Sequence, residues 1–162
     1  MHLNDISIRT ELRPGDMGYV THMHGRIYSQ EYHFTSDFEY YVAKGLLEFY
    51  DQYDPATNRV WVCEYQDRIV GFMLLMNRGK AAQLRYFIFE AEVRGLGLGK
   101  KLMDLYMSFL KECGYESSYL LTTTGLPAAA SLYERYGFVL TEERDLDAFG
   151  PPLKELRYEL KV

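Results

Sequence analysis

The chain has 162 residues, 48% of them hydrophobic and 25% charged, enough to bury a substantial core and unlike a disordered composition. No apolar run approaches the roughly 20 residues of a membrane helix, and the opening MHLNDISIRT lacks a signal-peptide core, so a cytoplasmic protein with no membrane partner is expected. A net charge of −5 argues against a general nucleic-acid binder, which needs clustered Lys and Arg, and mildly favours a cationic substrate.

In chain order, ISIRTEL alternates apolar and polar residues and reads as a strand ended by Pro14-Gly15. GYVTHMHGRIYSQEY is expected to form a short helix. TSDFEYYVAKGLLEFYDQY is a clearer helix: Ser36 and Glu39 have capping-box spacing, and Phe38, Tyr41, Val42, Gly45, Leu46 and Phe49 recur at helical spacing until Asp54-Pro55. RVWVCEY and IVGFMLLMN, joined by Gln66-Asp67-Arg68, predict a hairpin, and AAQLRYFIFE a third strand. A glycine-rich loop leads into a helix from about Gly97 to Cys113. SSYLLTTT is a strand, PAAASLYERY a helix opened by Pro127, and FVLTEERDL and LKELRYEL are closing strands. The order β-α-α-β-β-β-α-β-α-β-β predicts a single α/β domain over residues 1–162, a mixed sheet flanked by helices.

The cysteines, Cys63 and Cys113, have no metal-ligand spacing, so neither zinc nor a disulfide is expected, and Cys63 reads as a buried small hydrophobe. His22 and His24 share H-x-H spacing but lack a clear third ligand, and a polar turn before a helix accounts for them better than a metal.

The stretch VRGLGLGKKLM carries the chemistry. Gly95, Gly97 and Gly99 free the backbone to approach a ligand, and the helix that follows points its first-turn N–H groups and positive dipole end at one place, which suits a phosphate. A nucleotide P-loop fails here, since Gly95 to Gly99 is one residue short and Lys100 is followed by Lys101. A dinucleotide fingerprint is weak, because the spacing is G-x-G-x-G.

Arg94-x-x-Gly97-x-Gly99, between a strand and a helix, resembles the pyrophosphate loop of the GNAT family of N-acetyltransferases. Leu-Tyr-Glu-Arg-Tyr-Gly-Phe, Leu132 to Phe138, resembles that family's signature on its last helix. More narrowly, AQLRYFIFEAEVRGLGLGKKLM and Phe149-Gly150 are similar to the acetyltransferase half of MarR fusion proteins, without any winged-helix segment. Where the family often carries Asn seven residues before the helix tyrosine, this chain has Leu126.

The resemblance implies a mostly antiparallel central sheet and acetyl-CoA as cosubstrate, with no metal. It implies that Arg94, Gly95, Leu96, Gly97, Leu98, Gly99 and Lys100 hold the pyrophosphate. Phe87, Ile88 and Phe89 would pair their main chain with pantetheine, and their side chains predict a strand buried on both faces. Tyr133 is the implied general acid for the leaving thiolate, set against a tyrosine merely packed on its helix. A base is harder to find: Gln83 and Arg85 stand where some relatives have a carboxylate. Glu31, Asp37 and Glu90, or a water relay, remain as alternatives. In the family the region before Tyr53 lines the acceptor site, and its tyrosines, Tyr28 and Tyr32 among them, could contact an amine through cation–π attraction. Acetyl transfer to a small amine or a peptide or protein lysine is the expected activity, with a non-catalytic acyl-CoA sensor as the rival. Family members often pair, which leaves a homodimer open.

Overall fold

The computed structural model describes Met1 to Val162. Its elements follow the predicted order: β1 (Ser7–Arg9), α1 (Asp16–Tyr32), α2 (Ser36–Asp51), β2 (Arg59–Tyr65), β3 (Arg68–Arg78), β4 (Ala81–Phe89), α3 (Leu98–Glu112), β5 (Ser117–Thr123), α4 (Pro127–Arg135), β6 (Val139–Leu146) and β7 (Leu153–Lys161). The strands form one sheet in the order β1-β2-β3-β4-β5-β7-β6. Every neighbouring pair is antiparallel except β4 and β5.

Helices cover both faces of the sheet. Under α3 and α4 lies a core of Trp61, Met73, Leu75, Leu102, Tyr106 and Phe138 with their neighbours. Under α1 and α2 a second core gathers Met23, Val42, Phe49, Phe72 and Leu74. Strands β2 and β3 feed both cores, which is why they read as continuous apolar runs rather than alternating ones. Cys63 is fully buried there, and burial pushes its thiol up to about 12, so it behaves as a hydrophobe.

Two local expectations change. The segment after Pro14 is a helix of 17 residues rather than a short one, and it carries His22 and His24 within it, not in a turn before it. Ser36 and Glu39 make no capping box: Thr35 is the N-cap, without a side-chain cap bond. The Glu39 side chain instead lies over the bare Cα of Gly25, in the space a Cβ would take, so α1 and α2 pack closely.

Two features of β4 create a cleft. Parallel pairing with β5 joins only Ala81, Ala82 and Gln83 to Ser117, Ser118 and Tyr119, after which the strands separate. On its other side, β4 pairs Arg85 with Leu74 and Ile88 with Phe72, leaving Tyr86 and Phe87 opposite the single residue Met73. That β-bulge places Tyr86 at φ 58°. It also reverses the faces: Ala82 and Leu84 pack towards α3, whereas Tyr86 and Ile88 pack towards α1 and α2.

Candidate active site

At the C-terminal end of β4, the short 3-10 turn Ala91–Val93 leads into the glycine loop. Gly95 and Gly97 take φ of 80° and 90°, the left-handed region, and Gly97 is the N-cap of α3. Gly99 serves a different need, since a Cβ there would stand 3.3 Å from Leu132 Cδ2 and 3.7 Å from both Phe87 and Phe89. Its bareness lets α3 start close against β4 and α4. The first amide engaged in α3 is that of Lys101, bonded to the Gly97 carbonyl, so no amide from Gly95 through Lys100 donates to a backbone acceptor. Six successive donors thus converge at the positive end of α3.

The two basic residues flanking the loop are engaged. Arg94 donates to both Glu31 carboxylate oxygens, at 2.5 and 2.7 Å, and to the Phe89 carbonyl at 3.1 Å. Lys100 is exposed and paired with Asp104 one turn on. Asp104 also accepts from the Tyr136 hydroxyl at 2.6 Å, so Tyr136 ties the end of α4 to α3.

The wedge where β4 and β5 part holds a cavity of about 130 Å³, reached from β4, β5, α1, α2, α4 and the β6–β7 loop. Tyr133 lies in its wall, 5% exposed, with its ring 6.2 Å from that of Phe87. Its hydroxyl makes no hydrogen bond within the protein, and burial holds the phenol well above its ordinary value. Leu126, the N-cap of α4, lines the same wall, so an apolar contact stands where the family often has an amide. Phe87 and Phe89 are half-buried, their rings 5.0 Å apart, and only Ile88 between them is fully enclosed. The strand is therefore less buried near the loop than its composition predicts.

Of the expected acceptor residues, Tyr28, Gln83 and Arg85 line the cavity, whereas Tyr32 stands behind Tyr28 with ring centres 5.3 Å apart. The Gln83 amide oxygen is already used, accepting from Arg78 Nε at 3.0 Å and the Tyr119 hydroxyl at 3.3 Å. None of the three carboxylates considered as bases reaches the cavity. Glu31 belongs to Arg94, Glu90 is paired with Arg26, and Asp37 sits at the start of α2 beside Thr35. The carboxylate that does line it, Glu155, is held by Arg144 at 2.7 Å.

Sequence reasoning missed His24, Tyr86 and Phe149 as cavity residues. His24 Nδ1 lies 2.8 Å from the Val20 carbonyl, which fixes the donor proton on Nδ1 and leaves the Nε2 lone pair free. Its ring stacks beside Tyr28 and meets Tyr86 edge-on, and burial pulls its pKa down to about 4. The signal that could have found His24 is its four-residue spacing from Tyr28 within GYVTHMHGRIYSQEY, which puts both on one face of the helix expected there. No group of three His, Cys, Asp or Glu residues is arranged to hold a metal.

The sequence model described as the acetyltransferase (GNAT) family matches residues 23–138, a span that contains the loop, the wedge and Tyr133. The chain belongs to the GNAT acetyltransferase family. The uncharacterized N-acetyltransferase YjgM of Escherichia coli (strain K12) is 36% identical over 115 residues, covering 68% of this chain and 69% of that protein. Among solved structures, an acetyltransferase from Streptococcus agalactiae superposes with a TM-score of 0.77 at 20% identity, over 99% of this chain and 100% of its own. YncA, a putative acetyltransferase from Salmonella typhimurium with its cofactor acetyl-CoA, gives 0.75 at 17% identity, covering 98% and 94%. A spermidine N-acetyltransferase from Vibrio cholerae, in complex with CoA and spermine, gives 0.67 at 21% identity, covering 98% and 96%. At these identities the three structures establish the GNAT fold of the chain.

The loop also fits the GNAT cosubstrate on its own chemistry. Unpaired amides at a helix N-terminus suit a pyrophosphate, and the gap between β4 and β5 leaves strand edges to which an extended amide-bearing arm could bond. The cavity behind them lies on the α1–α2 side of the same opening.

Proposed function

We propose that this acetyltransferase moves the acetyl group of acetyl-CoA to a primary amine by direct attack, with Tyr133 as general acid. The run of free amides from Gly95 to Lys100 is the observation that carries the reading: a helix start leaves the four from Gly97 to Lys100 without partners, and the left-handed glycine loop adds those of Gly95 and Leu96 beside them. Acetyl-CoA supplies the activated acyl group as a thioester. Gly95, Leu96, Gly97, Leu98, Gly99 and Lys100 hold its pyrophosphate through main-chain donors, while Arg94 acts mainly by fixing the loop to α1. The main chain of Phe87, Ile88 and Phe89 aligns the arm that bears the thioester.

Tyr133 keeps its proton at neutral pH, since burial disfavours the phenolate. An O–H aimed at the sulfur stabilises the charge developing there and delivers the proton as the thiolate leaves. With the nearby carboxylates tied in ion pairs, a water relay takes the amine proton out of the cavity. Most of the rate would come from holding amine and thioester together. Tyr28, with Phe34, Phe38 and Tyr41, gives the acceptor an aromatic wall. The similarity to MarR-fused acetyltransferases rests on Ala82–Met103 and Phe149-Gly150, and a cytoplasmic setting beside the acetyl-CoA pool goes with this reading.

Isothermal titration of acetyl-CoA into wild type and Gly97→Glu tests the loop, followed by CoA release across a panel of amines with Tyr133→Phe as control. Binding lost in Gly97→Glu is expected, with turnover reduced about 10²–10⁴-fold in Tyr133→Phe at unchanged acetyl-CoA affinity. Acetyl-CoA bound by wild type without CoA release from any amine would make the protein a sensor. No binding at all would overturn the reading.

A further inference from the structure

Arg85 and Tyr86 are consecutive in β4, yet the bulge turns both towards α2. They converge on Gly45: the Tyr86 hydroxyl occupies the space a Cβ there would fill, and Arg85 Nη2 lies 2.7 Å from the same point. Tyr86 is 9% exposed and its hydroxyl has no hydrogen-bond partner, the sole buried side-chain polar atom of the chain in that condition. Arg85 is half-buried and forms no ion pair. Its guanidinium carbon lies 4.8 Å from the Tyr86 ring centre and 5.8 Å from that of Tyr41, with the Met76 sulfur 4.0 Å from Nη1.

The charges nearest to Arg85 in the cavity wall and on β3 are paired. Arg78 has Glu48 at 2.7 Å, and Glu155, across the cavity, has Arg144. His24 contributes no charge at neutral pH. Arg85 and Tyr86 thus bring to the lining of an aromatic cavity one cation without an ion pair and, packed over Gly45 beside it, one hydroxyl without a partner; a buried group left unpaired calls for an explanation.

We propose that Arg85 and the Tyr86 hydroxyl form a subsite for a carboxylate, so that the acceptor amine belongs to an amino carboxylate of free amino acid type. The guanidinium fork offers two parallel N–H donors to the two carboxylate oxygens, and the phenol adds a third donor. Aromatic rings from α1, α2 and the β6–β7 loop receive the rest of the molecule. A polyamine would place further cations against Arg85, with the one lining carboxylate already taken. Gly45 is part of the device, because its bare Cα leaves room for the hydroxyl. The inference rests on the cavity being the acceptor site of the proposed transferase.

The test uses matched acceptor pairs that differ only by a carboxylate: L-phenylalanine with 2-phenylethylamine, L-methionine with 3-(methylthio)propylamine, and β-alanine with ethylamine. CoA release is measured with saturating acetyl-CoA for wild type, Arg85→Gln, Arg85→Lys and Tyr86→Phe. In at least one pair the carboxylate member should be preferred by about tenfold or more in kcat/KM, a preference erased in Arg85→Gln through KM and partly kept in Arg85→Lys. Tyr86→Phe should weaken the same preference without lowering the melting temperature, since it removes an unpaired hydroxyl. Equal or better use of the amine members, or parallel loss of both members in Arg85→Gln, overturns the subsite while leaving the transferase intact. If no acceptor releases CoA, titration of the same pairs into the CoA-loaded protein decides. Binding of a carboxylate member that Arg85→Gln abolishes keeps the subsite and rejects the transferase, and absence of binding rejects both.

Discussion

Arg94 and Glu31 form a two-pronged ion pair across the seam between the glycine loop and α1, with N–O distances of 2.5 and 2.7 Å. The arginine that opens the loop motif is therefore neutralised locally, and its bond from Arg94 is the main reason the Glu31 carboxyl lies below its ordinary pKa. Arg94→Gln should weaken acetyl-CoA binding by less than about tenfold, because the proposed phosphate site is made of main-chain amides rather than of this charge. Glu31→Gln leaves the guanidinium free and should keep or tighten binding. Both side chains are more than a third exposed, at 41% and 35%, so either change should cost less than about 1 kcal/mol of stability. Titration calorimetry with thermal melts checks both statements, and a large loss of affinity in Arg94→Gln would return the arginine to the phosphate site.

The loop glycines divide by cause. Gly95→Ala and Gly97→Ala must each place a Cβ in the left-handed region, at a cost of about 1–2 kcal/mol, although little or nothing crowds either position. Gly99 lies in the first turn of α3 without that restriction. There, alanine gains about 1 kcal/mol of helix propensity and loses part of it to the 3.3 Å approach of Leu132. Urea unfolding should rank Gly99→Ala nearly neutral and the other two clearly destabilised.

His24 gives the fold a pH dependence whose direction is set by burial. Its folded pKa of about 4 is below the ordinary 6.5 of the unfolded chain, so between these values the unfolded state binds the extra proton. Stability is full above pH 6.5 and falls as pH drops towards 4, by at most about 3 kcal/mol. Its ring neighbours Tyr28 and Tyr86 do not titrate in that window, since burial pushes both phenols up. The stability of His24→Phe, measured by urea unfolding at pH 7 and pH 4.5, should change less than that of wild type. An equal slope in both would place the acid sensitivity elsewhere.

The sequence made the element order legible because each element carries its own period and punctuation, as in the β2–β3 hairpin closed by Gln66 and Asp67. The glycine loop was legible for the same reason: its requirement is local. The cavity between β4 and α2 was not. A bulge at Tyr86 inverts which residues of β4 face α2, and alternation cannot reveal an inserted residue where the strand runs on as Tyr-Phe-Ile-Phe without a polar position. Net charge was no guide to this cavity, since −5 for the whole chain says nothing of which charges line it, and Arg85 does so without an ion-pair partner. The capping-box spacing of Ser36 and Glu39 was also genuine, but close packing against Gly25 claimed Glu39 first.

Phe149 closes the cavity beside β4 from a distant part of the chain. Its carbonyl accepts from the Thr35 amide at 2.8 Å, and its ring sits against Phe34, Phe38 and Tyr41 with centres 5.0–5.6 Å apart. Gly150 makes the seat possible: its φ is 114°, and a Cβ would stand 2.9 Å from Thr35 Cγ2 and 3.5 Å from the His33 carbonyl. Gly150→Ala should therefore lift the β6–β7 loop off the α1–α2 corner, at a cost of about 1–3 kcal/mol. Because the glycine loop lies at the far end of β4, the expected signature is a raised acceptor KM with acetyl-CoA affinity as in wild type. Separate measurement of the two constants decides the point. If both weaken together, the loop is a clamp on the whole sheet, and the aromatic wall it completes has no special part in holding the acceptor.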